Sequence, residues 1–322
     1  MEDDVAFMAL LHHDPLAPRL RVLLVTDAAS TPGSSDFATL AAKTLTGAGH
    51  AVWMFILHGD GTATDERLGG AVLVRDPADL IATVRANRIG FVLFDDCGQE
   101  WAAPLRIERC AVLYLSRRPV AWNVPRARQS ITAFLAPPSL AWSFAADETV
   151  YSTRALFDLW AHPYRSRGTR PPYTVGHPTG DGGAAEVVAR LALAVPVRTV
   201  ELNGAPHPDL DALVIADPCG QAEPQRFIDA MASGILCAGR GFGEIPVMLA
   251  RVGVASRPEG TSLSAHEVEV LADGLAGLLE DPADWHAATR IARDRAWEWY
   301  SPASWLIHFE AVVQAVAGVR AG

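Results

Sequence analysis

Acidic residues and glycines at the ends of apolar runs carry most of the chemistry this sequence offers. Asp95 and Asp96 follow the run at residues 91–94, which places two carboxylates where a buried strand should end. Such a pair suits the lining of a cleft, or a solvated loop. It would also suit metal or glycosidase chemistry, for which no supporting residues accompany it. Glu223 and Asp229 stand six apart around the start of a predicted helix, near but not on one face. Glu223 would sit at the helix N-terminus, where a carboxylate is also a simple partner for the helix dipole. The turn at residues 31–35, containing Gly33, could admit a diphosphate to the N-terminus of the helix that follows, or be a plain structural turn. It lacks both the G-K-[ST] of a Walker loop and the G-x-G-x-x-G fingerprint. His58 follows a strand, and His177 lies in a glycine-rich stretch at 175–183. Lys43 is the only lysine, so nearly every candidate phosphate ligand is an arginine, among them Arg165, Arg167, Arg170 and Arg240. The planar guanidinium fork can hold two phosphate oxygens at once.

The elements that must position these groups alternate. Residues 21–26, 51–57, 72–74, 91–94, 110–115 and 120–122 read as short buried strands, with helices at 37–46 and 76–87 between them. Residues 144–160 close this half. Residues 162–172 carry three arginines, prolines and no periodicity, and form the expected linker. The second half repeats the pattern: strands at 173–175, 197–202, 212–215 and 235–238, and helices at 181–194 and 224–233, the last ended by Gly234. Residues 264–317 are mostly helical, with breaks near Asp281-Pro282 and Ser301-Pro302. Alternating βα units predict parallel sheets with helices on both faces.

The 322 residues fit two domains of roughly 150 residues each. A hydrophobic fraction of 50% and a charged fraction of 20% are those of a globular protein. A net charge of −10 argues against a nucleic-acid partner. Cys97, Cys110, Cys219 and Cys237 form no C-x-x-C pair and have no histidines at zinc spacing, which predicts reduced, buried thiols. No signal-peptide pattern opens the chain and no apolar run approaches the ~20 residues of a membrane span, so the expected location is cytoplasmic and not integral to a membrane.

Residues 223–238 resemble the donor-site segment of family 4 glycosyltransferases, in which a helix runs through "E-A-M-A-S-G" into a strand. Asp229-Ala-Met-Ala-Ser-Gly234 takes that place here, with Asp for Glu. Gly243-Glu-Ile-Pro246 is similar to the family's "G-G-x-P-E" loop. The helix at 271–279, Asp281-Pro282, Ala292-Arg293 and Trp299-Tyr-Ser301 match its closing pattern, while residues 45–52 and 146–153 match two steps of its first domain. The resemblance runs in order along most of the chain.

It implies a GT-B type α/β fold: two Rossmann-like parallel-sheet domains (1–165 for the acceptor, 166–322 for the donor) facing a cleft, and a helical C-terminal segment whose last helix is able to pack back on the first domain. The implied activity is transfer of a sugar from a nucleotide diphosphate donor to a small-molecule or glycan acceptor, metal-independent and retaining, without a cofactor. A homo- or hetero-oligomer is compatible with this. Asp229 matches the ribose-contacting acid, and the position of the sugar-contacting acid falls on Gln221, with Glu223 two residues on. Donor groups would come from Glu223, Asp229, Arg240, Gly241, Gly243 and Glu244, acceptor groups from around Gly33 and Asp95. His177 stands where the family has an arginine, and no lysine follows it. That departure keeps open an inactive GT-B-like binding or partner protein, and, further off, a sugar epimerase of the same fold.

Overall fold

The computed structural model describes residues 20–27, 34–57, 73–74, 77–97, 99–105, 108, 110–116, 129–136, 140, 143–145, 148–153, 156–157, 159, 170–203, 209–216, 225–260 and 262–321. The chain divides into two compact units, Met1–Phe157 with Pro302–Gly322, and Asp158–Ser301.

The first unit holds a seven-stranded sheet. Its strands are β1 (Arg21–Asp27), β2 (Ala51–Leu57), β3 (Leu73–Val74), β4 (Phe91–Asp95), β5 (Ala111–Leu115), β6 (Ala133–Ala136) and β7 (Val150–Ser152). They lie in the order β3-β2-β1-β4-β5-β6-β7, every pair parallel. The connecting helices are α1 (Ser34–Gly47), α2 (Pro77–Ala86) and α3 (Gln99–Leu105). Successive strand residues point to opposite faces, so the apolar runs build two cores. Val22 and Leu24 join Leu93, Leu113 and Leu135 under α1, while Leu23 and Val25 join Phe55, Phe94 and Tyr114 on the other face with Leu80 and Leu105. Each fully buried Leu or Phe contributes about 1.5–3 kcal/mol.

The second unit holds a five-stranded parallel sheet. Its strands are β8 (Tyr173–Pro178), β9 (Val197–Leu202), β10 (Ala212–Ile215), β11 (Leu236–Arg240) and β12 (Gly253–Ser256), in the order β12-β11-β10-β8-β9. Its helices are α4 (Gly182–Leu191), α5 (Gln225–Ser233), α6 (Ile245–Leu249), α7 (Ala265–Glu280) and α8 (Pro282–Tyr300). Val187, Val188 and Leu191 of α4 pack with Leu271, Leu275 and Leu279 of α7 against Val175, Val214 and Leu236. The last helix, α9 (Pro302–Ala321), belongs to the first unit's core: Trp305 meets Phe37 edge-on at 5.8 Å, and Leu306, Phe309 and Val313 join the same cluster. His50 adds a polar tie to it. Its Nδ1 accepts the Leu20 N–H at 3.3 Å, so Nε2 carries the proton and donates to Glu310 of α9 at 2.9 Å.

The C-terminal helices start and stop at the residues expected of them. Ser264 and Glu267 form a capping box for α7, Asp281 accepts the N–H groups of Ala283 and Asp284 at the head of α8, and Pro302 opens α9. Four elements have no counterpart in the sequence expectations: α3, β6, α6 and β12. Pro104 lies inside α3, β6 is only Ala-Phe-Leu-Ala, and Gly241, Gly243, Pro246 and Gly253 make residues 241–256 resemble a loop. The expected strand at 120–122 and most of the expected linker lie outside the described residues. Cys97, Cys110 and Cys237 are buried thiols, and burial pushes the Cys237 thiol far up from its ordinary range. Among the described residues no helix is long and apolar enough to cross a membrane.

Candidate functional site

Each sheet has a switch point, between β1 and β4 in the first and between β8 and β10 in the second, where neighbouring connections leave in opposite directions. Ligands of open parallel sheets bind beyond the carboxyl ends of strands at such points. Of the sequence candidates, His177, Arg240, the 241–244 loop and Asp95 stand at the carboxyl ends of strands in the described residues.

In the second unit, His177 sits buried at the end of β8, where Nδ1 donates to the Pro178 carbonyl at 3.2 Å. The chain then turns through Gly180, at φ +84°, into Asp181. This carboxylate is buried and doubly engaged. Oδ1 accepts the Ala184 N–H at 2.8 Å as the cap of α4, and Oδ2 accepts the Ala216 N–H at 2.9 Å just past β10. It fixes two strand ends together across the switch point. It also places a negative charge at the helix N-terminus, where an anion would otherwise be favoured. Asp181 was not among the expected site residues, although an Asp before a helical run is a plain capping signal.

Asp229 lies one turn into α5, a helix whose residues 227–232 are all buried. Gly241, Gly243 and Glu244 form the loop between β11 and α6. The Gly241 N–H donates to the Ser256 carbonyl at 2.8 Å, and a Cβ at this position would meet that oxygen at 2.5 Å. Gly243 stands at φ +55°, a left-handed backbone that suits glycine. Glu244 is buried and occupies the N-cap position of α6 without a side-chain cap bond.

Arg240, expected to face a diphosphate, is 2% exposed and turned into the fold. Nε donates to Glu267 Oε1 at 2.8 Å and Nη2 to Oε2 at 3.3 Å, while Nη2 also reaches the Gly260 and Ser262 carbonyls at 2.9 and 3.0 Å. Burial pushes the Glu267 carboxyl up, but bonds from Arg240 and Ser264 outweigh it and hold the group below its ordinary value. At the other end of α6, Arg295 Nη1 donates to the Met248 and Ala250 carbonyls at 2.6 and 2.8 Å. Arg295 thus ties the C-terminal end of this short helix to α8.

In the strand order, β8 and β11 are two strands apart. At a spacing of ~4.8 Å per strand, His177 and the 241–244 loop are about 10 Å apart along the edge. Asp95 belongs to the first unit, at the buried end of β4. Thr26, next to last in β1, and Ser116, just after β5, lie on the neighbouring strands, both buried, and Thr26 Oγ1 makes no hydrogen bond among the described residues. Asp96 takes a positive φ of 49°. Gly33, His58, Gln221 and Glu223 lie outside the described residues.

No family model matches this sequence, and no curated protein matches it. Solved structures share its fold over nearly its whole length. HepE from Anabaena in complex with UDP is 12% identical, with a TM-score of 0.68 over 93% of this chain and 100% of that one. Sucrose-phosphate synthase from Thermosynechococcus elongatus is 12% identical, with a TM-score of 0.67 over 94% and 100%. A glycosyltransferase from Rickettsia africae is 12% identical, with a TM-score of 0.66 over 93% and 99%. The chain therefore has two Rossmann-like parallel-sheet domains of the GT-B type with a helical C-terminal segment.

Proposed function

We propose that this protein is a glycosyltransferase that moves a sugar from a nucleotide diphosphate donor to a small-molecule or glycan acceptor. The observation that carries the reading is the end-to-end match of the two-unit fold to HepE, a protein also solved with UDP-glucose and with UDP and glucose. The carboxyl edge of the second sheet suits the donor. Asp229 offers a carboxylate to the ribose, and Gly243, between Gly241 and Glu244 in the 241–244 loop, lets a pyrophosphate or sugar approach the backbone. Either Gln221 or Glu223, which precede α5 in the sequence, would serve the sugar hydroxyls, and His177 would face a donor oxygen through Nε2. Asp95 and the region of Gly33 would serve the acceptor. Following the family resemblance, transfer is metal-independent and retains configuration. The protein works in the cytoplasm without a bound cofactor, alone or as an oligomer.

A second reading, an inactive GT-B-like binding or partner protein, is favoured by Asp181. Its carboxylate occupies the head of α4, and a diphosphate placed there would face like charge. Thermal shift against UDP, GDP, dTDP and their sugars separates the two. A nucleotide at a hundred times its Kd stabilises by about 2.7 kcal/mol. No shift with any of them leaves the partner reading standing alone. Where a shift occurs, Asp229→Ala should remove it, and an unchanged shift refutes the ribose contact.

A further inference from the structure

Three backbone segments converge on one carboxylate, and a fourth joins through its partner arginine. Glu267 Oε2 accepts the Ser264 N–H at 2.9 Å, closing the capping box of α7, while the same carboxylate holds the Arg240 guanidinium at the end of β11. Ser256 Oγ, at the end of β12, donates to Oε1 at 3.3 Å. Through Nη2 of Arg240 the cluster extends to the carbonyls of Gly260 and Ser262. The ring of Phe242 lies over the guanidinium at 4.7 Å, and the Phe242 N–H donates to the Arg240 carbonyl at 2.9 Å. The bonds that set the first half of the 241–244 loop thus lead to Arg240 or Ser256, and both side chains meet at Glu267.

The loop's own residues do little to choose its shape, because Gly241 and Gly243 leave the backbone permissive. An outside constraint must choose it. A buried ion pair is a poor device for stability alone, since well-packed apolar residues of like volume are often as stable or more so. An apolar pair cannot, however, direct bonds to several backbone segments at once. Orientation is what the charged pair adds.

We propose that Glu267, acting through Arg240, is a positioning residue for the donor, holding the 241–244 loop and Phe242 in the shape that receives the nucleotide sugar. This rests on the nucleotide-sugar reading given under Proposed function. Arg240 then serves the donor from beneath the loop, as the partner of Glu267, rather than as a ligand of the diphosphate.

The test compares wild type, Glu267→Gln, and the double variant Arg240→Met with Glu267→Leu. Three readouts are needed: the thermal midpoint, amide hydrogen exchange across residues 241–244, and calorimetric affinity for UDP, GDP and dTDP. The double variant should regain a midpoint within a few degrees of wild type. Its Gly241 and Phe242 amides should nevertheless exchange about tenfold faster, and it should bind the wild type's preferred nucleotide about tenfold more weakly. A merely structural pair would restore all three together. Unchanged exchange, or wild-type nucleotide affinity, in the folded double variant overturns the proposal. If wild type binds none of the nucleotides, the nucleotide-sugar reading fails by itself, and the exchange data still decide whether the pair sets the loop. Should the double variant not fold, Glu267→Gln carries the same readouts, because it keeps one carbonyl acceptor and the side chain's shape.

Discussion

The carboxyl edges of the two sheets differ in how one buried polar side chain is held. In the second unit, polar side chains at strand ends are tied to the frame: Asp181 bridges α4 and β10, and Arg240 bridges β11, Glu267 and two carbonyls. In the first unit, Thr26 is buried at the same kind of edge, and its Oγ1 makes no hydrogen bond among the described residues. A pre-arranged frame suits a ligand of fixed shape, because its dipoles need no reorganisation when charge arrives. An unsatisfied hydroxyl instead costs the free protein stability that a bound hydroxyl could return.

The sharpest way to break this contrast is to open the frame. Arg240→Met leaves Glu267 buried without its cation, and urea unfolding should show a loss of roughly 3–5 kcal/mol. A loss below about 1 kcal/mol would mean the pair is not the keystone of this edge. Asp181→Ala removes a cap and leaves the buried Ala216 N–H unsatisfied, for a loss of about 2–3 kcal/mol by the same measurement. Asp181→Asn keeps one of the two acceptors and should cost about 1 kcal/mol. Because it removes the charge at the head of α4, it should also tighten nucleotide binding if a diphosphate lies there. Unaltered affinity would place the diphosphate elsewhere on the edge.

Acid titration addresses the same frame. The Glu267 carboxyl is held below its ordinary value in the fold, so its contribution is fully present above the unfolded glutamate value of about 4.3. It is lost as the pH falls from there through the folded value. Glu267→Gln should therefore flatten the decline of the thermal midpoint below about pH 4.3, and a variant with the wild-type decline would exclude this group from acid unfolding. The smallest effect belongs to the other edge. Thr26→Val removes an unpartnered hydroxyl from a buried site and should change stability by less than about 1 kcal/mol, toward greater stability. A clear loss would show that the hydroxyl is satisfied in solution and would erase the contrast.

Much of the fold was legible because periodicity and caps are local. The run at 51–57 is a strand over those residues, and the breaks at Asp281-Pro282 and Ser301-Pro302 separate α7, α8 and α9 as expected. The candidate site was less so. Asp229 and the 241–244 loop could be singled out by the family resemblance, and the loop stands at the carboxyl edge of its sheet. Glu267 drew no attention, since a Glu three residues after Ser264 signals only a helix start. Its ion pair with Arg240, 27 residues away, depends on β11 and α7 being brought together.

By itself the sequence determined the alternation of strands and helices, the division into two α/β halves and the helical ending, all set by spacings within a few residues. Tertiary structure alone decided which side chains α9 packs against, which backbone N–H groups Asp181 holds, and that Arg240 faces inward. Each depends on groups distant in sequence whose meeting is fixed by strand order and burial. A charged side chain removed from water is held by whichever partners the fold brings within reach.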